Sequence, residues 1–598
     1  MKLISKYFKH FIFFYSYLGN RIIFLVVLSL VGGFLDGFGL ALFIPLIQVA
    51  GKAQIDKAEA EESLGSLNFL LDFITWSGFE LTAVVILVFL LLIFVVKGLF
   101  KYLESHYKVL VQMYFVRKIR YQMVDSLGDM EYRNFLGLDA GRVQNTLSGE
   151  IYKIVSAYVA YFNTLQSFVL LLVYVVLALL ANFQFALVVS VGGYLSNLIF
   201  KIIFKYIESA SLNNSKLSHK YQSSLIQAVH NFKYLKATNY FQKYKIKLKD
   251  YVDQIELEQK KIGIFNAILM AAREPLVIAI VVAAILVEIK LLNGNIAAIF
   301  LSLMFFYRAL NFIMLVQTHW QAFTANLGGL HVGLELLNDL ESGKEQDDST
   351  VLVERIKSIY LNKVGFYYSP EKNVLKNIDL EIANNRSYAL VGKSGSGKTT
   401  LTNLLVGLIH PTSGEFTLNG KPLRSYNLSS YRSKIGYITQ EAVIFNDTVF
   451  NNITFWAEKT EANQKKFIKA IELANLTELV EGLPEKENTI LGDSGALISG
   501  GQKQRISIAR ELFKDAELLI FDEATSALDS ETEKMIQENI DSLKGSCNIV
   551  LIAHRLSTVK NADEILLMKD GEVECRGTFA ELLSDSKTFK SMVELQEF

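Results

Sequence analysis

This chain is short of cysteine, of proline and of net charge, and each shortage excludes something. Two cysteines, Cys547 and Cys575, in 598 residues support neither a disulfide framework nor a cysteine metal site. Sixty basic side chains balance sixty acidic ones, so overall charge offers no footprint for nucleic acid. Charged residues are only 20% of the chain and hydrophobic ones 51%, too apolar a balance for an ordinary soluble protein. None of the six prolines falls in 101–156 or 205–261, so nothing there breaks a helical pattern. The first apolar run, Ile22 to Val49, is too long for the core of a cleavable signal peptide. At this length more than one core is expected.

What the chain has instead is apolar runs. Six of them, at 22–49, 81–100, 159–180, 185–204, 262–287 and 296–316, come near or exceed the ~20 residues that cross ~30 Å of hydrocarbon. The segments 97–156 and 201–261 are rich in lysine and arginine, whereas 51–80 is acidic. That asymmetry places both termini and both long basic segments in the cytoplasm, in the cytoplasmic membrane. Residues 101–156 and 205–261 are read as the spanning helices continued inward, broken by short turns near 131–138 and 237–241, where contact with a cytoplasmic partner domain is expected. The acidic stretch 336–350 is read as a linker. Domains are therefore expected at 1–335 (transmembrane) and 351–598.

The second part carries chemistry. An apolar strand at Ser387 to Val391 runs into Gly392-Lys393-Ser394-Gly395-Ser396-Gly397-Lys398-Thr399, and a helix follows from Thr400. Strand, glycine loop and helix are the context in which backbone N–H groups and a helix N-terminus cradle nucleotide phosphates. Gly392, Ser394, Gly395, Gly397 and Thr400 belong to that cradle. Lys398 is expected on the β- and γ-phosphates and Thr399 on Mg²⁺. The strand Leu518 to Phe521 ends in Asp522-Glu523, which suits Asp522 to Mg²⁺ and Glu523 to polarising water. Gln440 follows the short strand Ile435 to Thr439 and is expected near Mg²⁺ and that water. His554 follows the strand Ile549 to Ala553 and suits the γ-phosphate.

With these residues in place the chain resembles the ATP-binding cassette exporters that carry six spans and one ATPase domain in one polypeptide. The resemblance rests on the P-loop, Gln440, the signature Ser499-Gly500-Gly501-Gln502, Asp522-Glu523, the turn Ser526 to Asp529, and His554. Tyr368 matches the family's adenine-stacking tyrosine. Thr489 to Gly495 resembles the exporter-specific loop before the signature, with Asp493 where Glu is commoner, and Ile498 stands where Leu is usual. The resemblance implies an all-α six-helix transmembrane domain fused to an α/β P-loop ATPase domain, with ATP and Mg²⁺ as cofactors. It also implies a head-to-tail pair, in which Ser499, Gly500, Gly501 and Gln502 of one copy complete the site on the P-loop of the other, with Asp529 near the nucleotide. Since none of these motifs departs from a working site, a second copy of the same chain is the expected partner. An unlike partner is the alternative.

What is moved is less legible. Asp36, Arg273 and Arg308 fall at one estimated depth, about 18–21 Å in from the outer ends of their spans. Either the arginines line a cavity for an anionic head group, since guanidinium forks onto phosphate, or Asp36 and Glu274 neutralise them as internal ion pairs. The outer residues Leu64, Leu67, Leu70, Leu71 and Ile74 keep helical spacing, and Trp76 suits a membrane interface. Such an external helix resembles flippases of lipid-linked oligosaccharides, and a packed loop helix is the plain alternative. The expected substrate is a lipid or lipid-linked glycan. Multidrug or peptide export, an ATP-gated channel, and an ATPase acting on DNA or ribosomes are the rival functions; the spans argue against the last.

Overall fold

The computed structural model describes residues 9–43, 45–46, 67–181, 183–291, 296–347, 349–522, 530–552 and 559–594. It separates into two units. One comprises residues up to Met130 together with Gly137–Lys344; the other comprises Glu131–Leu136 together with residues from Glu345 onward.

The first unit is helical. A short helix α1 (Lys9–Leu18) precedes α2 (Arg21–Ala41), and a small outer helix α3 (Phe69–Trp76) precedes α4 (Ala83–Gly128). Then come α5 (Tyr132–Phe135, in the second unit), α6 (Ala140–Asn145) and, after a π turn at Thr146–Glu150, α7 (Ile151–Ala181). The long helices α8 (Phe183–His230), α10 (Phe241–Leu291) and α11 (Ile296–Ser342) follow, with α9 (Phe232–Ala237) between the first two. Each expected apolar run lies at least in part within one of the long helices α2, α4, α7, α8, α10 and α11. Among the described residues, four helical stretches are long and apolar enough to cross a membrane, at Arg21–Ala41, Ala83–Gly128, Ala140–Leu180 and Phe241–Ile280. The apolar window of α4 is only 6% buried, the arrangement expected where the solvent is hydrocarbon rather than water.

Glycine sets how closely these helices meet. A Cβ at Gly37 of α2 would come within 2.1 Å of Leu177 of α7, and one at Gly33 within 2.8 Å of Leu170 of the same helix. With little hydrophobic drive between helices in lipid, such close approach supplies the packing.

Residues 336–342 are not a linker. They are the last two turns of α11, with Leu336, Leu337 and Leu340 buried. Acidic side chains along this end of the helix find surface partners. Arg142 pairs with Glu335 at 3.6 Å and Asp339 at 2.8 Å, and Gln122 donates to Glu341 at 2.6 Å.

The second unit is α/β. A four-stranded antiparallel sheet has the order β2-β1-β4-β5, and a six-stranded sheet has the order β10-β9-β3-β8-β7-β6. Here β1 is Ser358–Ser369, β2 Lys372–Ala383, β3 Ser387–Val391, β4 Ser413–Leu418, β5 Lys421–Pro422, β6 Ile435–Ile438, β7 Leu518–Asp522, β8 Asn548–Ile552, β9 Glu564–Lys569 and β10 Glu572–Gly577. Strands β9, β3, β8, β7 and β6 run parallel, with β10 antiparallel at the edge. Both faces of this sheet are covered, so its central strands read as unbroken apolar runs. In β7, Leu518 and Ile520 enter one core while Leu519 and Phe521 enter the other; in β8, Val550 and Ile552 divide from Ile549 and Leu551 in the same way.

Candidate nucleotide site

A parallel sheet gathers its chemistry at the carboxyl ends of its strands. Neighbouring strands β3, β8, β7 and β6 end respectively at the glycine loop, before residue 553, at Asp522 and just before Thr439-Gln440. Residues far apart in sequence thereby share one sheet edge.

The glycine loop leads from β3 into α12 (Lys398–Leu405). Gly395 and Gly397 take left-handed conformations, φ 79° and 104°, which a side chain would strain. A Cβ at Gly392 would come within 2.3 Å of the Met568 carbonyl oxygen, so the loop closes only around glycine. Lys398 is buried and donates to the carbonyls of Gly392 at 2.7 Å and Lys393 at 3.1 Å. Thr399 is exposed at the start of α12, and Thr400 is buried beside it. Among the described residues, the buried Ser396 hydroxyl has no protein partner. An orphaned donor, a buried ammonium and glycine amides at a helix N-terminus form a cradle that fits a phosphate chain.

Asp522, at the end of β7, is buried and accepts a hydrogen bond from the Tyr437 hydroxyl at 3.2 Å. Burial and that carboxylate push the Tyr437 phenol well above its ordinary pKa, so it stays a donor. A buried carboxylate at the carboxyl end of a strand is the donor chemistry a hard cation such as Mg²⁺ takes. Gln440 is exposed, and the stretch before it is fixed by Gln504, which is buried and donates to the Thr439 carbonyl at 3.1 Å.

The signature opens helix α13 (Gly500–Phe513) with a capping box. Ser499 accepts from the Gln502 N–H at 3.3 Å, and Gln502 accepts from the Ser499 N–H at 2.8 Å. Ser499 and Gly500 are exposed, and a Cβ at Gly500 would meet nothing within 4 Å. In the preceding loop Asp493 accepts from Asn446 at 2.7 Å. Tyr368 is 38% exposed, its ring edge-on to Phe366. Glu523, Asp529, His554 and the rest of the turn 526–529 lie outside the described residues.

Of the candidate substrate residues, the surroundings of Asp36 are the most fully described. Asp36 is held by Lys97 of α4 and by the Tyr174 hydroxyl of α7. The lysine lies across the α2–α4 contact, a pairing invisible in sequence. Arg308 is exposed, Glu274 is exposed, and the Arg273 side chain lies outside the description. One helical heptad from Asp36 and Lys97, a second polar level joins the same three helices. Glu104, 5% exposed, accepts from Ser29, from Gln166 at 2.6 Å and from Lys101 at 2.9 Å. Sequence reasoning missed it, because Glu104 looks like one more charge in a basic cytoplasmic segment. Its spacing of seven from Lys97, matched by Ser29 and Asp36, was the available signal.

On α3, Leu71 and Ile74 are buried, as is Leu67 just before it, whereas Phe69, Phe73 and Trp76 are exposed. Leu64 lies outside the described residues.

Residues 22–314 match the family model for the ABC transporter transmembrane region, and residues 375–526 match the model for the ABC transporter itself, the cassette just described. The chain belongs to the ABC transporters. The fold agrees: the structure of a bacterial Atm1-family ABC exporter with ATP bound superposes with a TM-score of 0.78 at 21% identity, over 98% of this chain and 99% of that one. Among curated relatives, the ATP-dependent lipid A-core flippase of Sodalis glossinidius is 38% identical over 305 residues, 51% of each chain. That of Alkalilimnicola ehrlichii is 42% identical over 270 residues, 45% of this chain and 46% of the relative. The match thus spans about half the length of these relatives. As an ABC transporter with this cassette, the chain binds ATP, and its transmembrane region makes it a membrane protein.

Proposed function

We propose that the chain is one half of an ATP-driven exporter that flips an amphipathic lipid or lipid-linked oligosaccharide outward across the cytoplasmic membrane, with both termini in the cytoplasm. The observation that supports this most is the joining of a P-loop cradle to helices whose apolar faces are exposed, α4 above all. Relatives named lipid A-core flippases support a lipid-bearing substrate.

In this reading Lys398 binds the β- and γ-phosphates while the loop amides and the Ser396 hydroxyl hold the rest of the chain of phosphates. Thr399, Asp522 and Gln440 hold Mg²⁺, which when bound neutralises charge between the β- and γ-phosphates. Glu523 orients and polarises the attacking water, and His554 contacts the γ-phosphate. Tyr368 stacks on adenine. The exposed N-terminus of α13, with Ser499, Gly500, Gly501 and Gln502, caps the nucleotide of a second copy, and Asp529 lies beside it. Two copies close on ATP and open after hydrolysis, and the helices follow. Arg273 and Arg308 receive the anionic head group, while Asp36 holds Lys97 at that level.

Purified protein in liposomes tests the substrate. ATPase activity stimulated several-fold by a lipid-linked glycan, and not by peptides or dyes, supports the reading. Stimulation by dyes alone makes the protein a drug exporter, and ion current persisting without turnover makes it a channel.

A further inference from the structure

The polypeptide that links α4 to α6 enters the ATPase unit. Glu131–Leu136 packs there, with Tyr132 against the core beneath the sheet. Arg133, its neighbour, donates to the Tyr368 carbonyl oxygen at 3.1 Å. Its guanidinium also stands over the rings of Phe366, 6.0 Å away, and Tyr367, 5.8 Å away.

The place of that hydrogen bond matters. Strand β1 pairs regularly with β2 from Ser358 to Leu361, then shifts register repeatedly up to Ser369. Tyr367 pairs with Asn373 and Ser369 with Lys372, and Tyr368 has no ladder partner between them. The ladder thus does not hold the backbone at the tyrosine itself. A charge-assisted bond from a flat, rigid guanidinium fixes what the ladder leaves loose.

We infer that Arg133 is a positioning residue for the nucleotide base: by holding the Tyr368 carbonyl it sets the adenine platform, and so ties base recognition to the segment between α4 and α6. The inference rests on Tyr368 stacking on adenine, as proposed above. No contact of Arg133 itself with nucleotide is required.

The test uses the full chain in liposomes, with ATP and, for comparison, UTP, whose smaller base stacks less. Arg133→Ala is expected to raise KM for ATP roughly five- to twenty-fold, the size of one charge-assisted hydrogen bond partly replaced by water. KM for UTP and kcat should change less than about two-fold, so the preference for adenine collapses. Arg133→Lys, which keeps a donor, should recover part of it. Equal rises in KM for both nucleotides, or a fall in kcat alone, overturn the inference. Tyr368→Ala separates the two ideas. If it leaves KM and base preference unchanged, the stacking reading fails; if it removes the preference while Arg133→Ala does not, only the role of Arg133 fails.

Discussion

The two units of this chain use similar residues against different solvents. In the ATPase unit, the five residues of β7 are all buried, and their apolar side chains fill cores on both faces of a sheet. In the membrane unit, Leu91 and Val95 of α4 are 65% and 64% exposed on an equally apolar helix. An apolar run alone therefore does not say what a residue packs against. Its length does, since five residues fit a buried strand and twenty fit a bilayer.

The contrast can be broken at several points. The largest effect is chemical. Lys398→Ala should lower ATPase activity at least about a hundred-fold by removing charge from the transferred phosphoryl group. The helical content by circular dichroism should be unchanged, because the lysine supports the loop and not the helices. Next comes packing. Leu519→Ala, in the core of the sheet, should cost about 2–5 kcal/mol in the cytoplasmic unfolding transition. Leu91→Ala, on the exposed face of α4, should shift detergent-phase unfolding by less than about 0.5 kcal/mol. Equal costs would mean that α4 is covered by protein.

A smaller effect sharpens the membrane side. Asp36→Asn leaves Lys97 without its carboxylate and should destabilise the helical unit by roughly 1–3 kcal/mol. Adding Lys97→Met should restore most of that loss in a double-mutant cycle, and additive losses would show that the pair is not coupled.

The smallest effect is a pH dependence. Burial, with His331 and Lys9 adding to it, lowers the His10 pKa from 6.5 to about 4. A base with a depressed folded pKa is held neutral by folding, so its contribution is present above 6.5 and is lost as pH falls toward about 4. Thermal unfolding followed from about pH 7 to about pH 5 should show a falling midpoint, with a shallower slope in His10→Gln.

The fold was legible where the signal is local. Six apolar runs announced long helices, and the glycine loop between β3 and α12 announced its own geometry, because spacing alone decides both. The amphipathic outer helix was likewise legible from Leu67, Leu71 and Ile74. The end of α11 was misread because Glu341, Lys344, Glu345, Asp347 and Asp348 make the stretch look like a polar loop, and the buried Leu336, Leu337 and Leu340 show only once the helix is folded. Partners brought together by tertiary contact were not legible at all. Lys97 lies 61 residues from Asp36, Gln166 lies 62 from Glu104, and Arg133 lies 235 from Tyr368. Asp522 was visible as a strand end, whereas its donor Tyr437, on the next strand, needed the sheet order.

The central proposal is that each nucleotide is enclosed by two copies of the chain. Co-expression of one copy carrying Ser394→Cys with another carrying Ser499→Cys, followed by a short bifunctional thiol cross-linker, tests it directly. The account predicts a cross-linked pair of chains that forms with ATP and is lost when Lys398→Ala is added. Failure to cross-link with ATP, or cross-linking within a single chain when both cysteines share one copy, would contradict it.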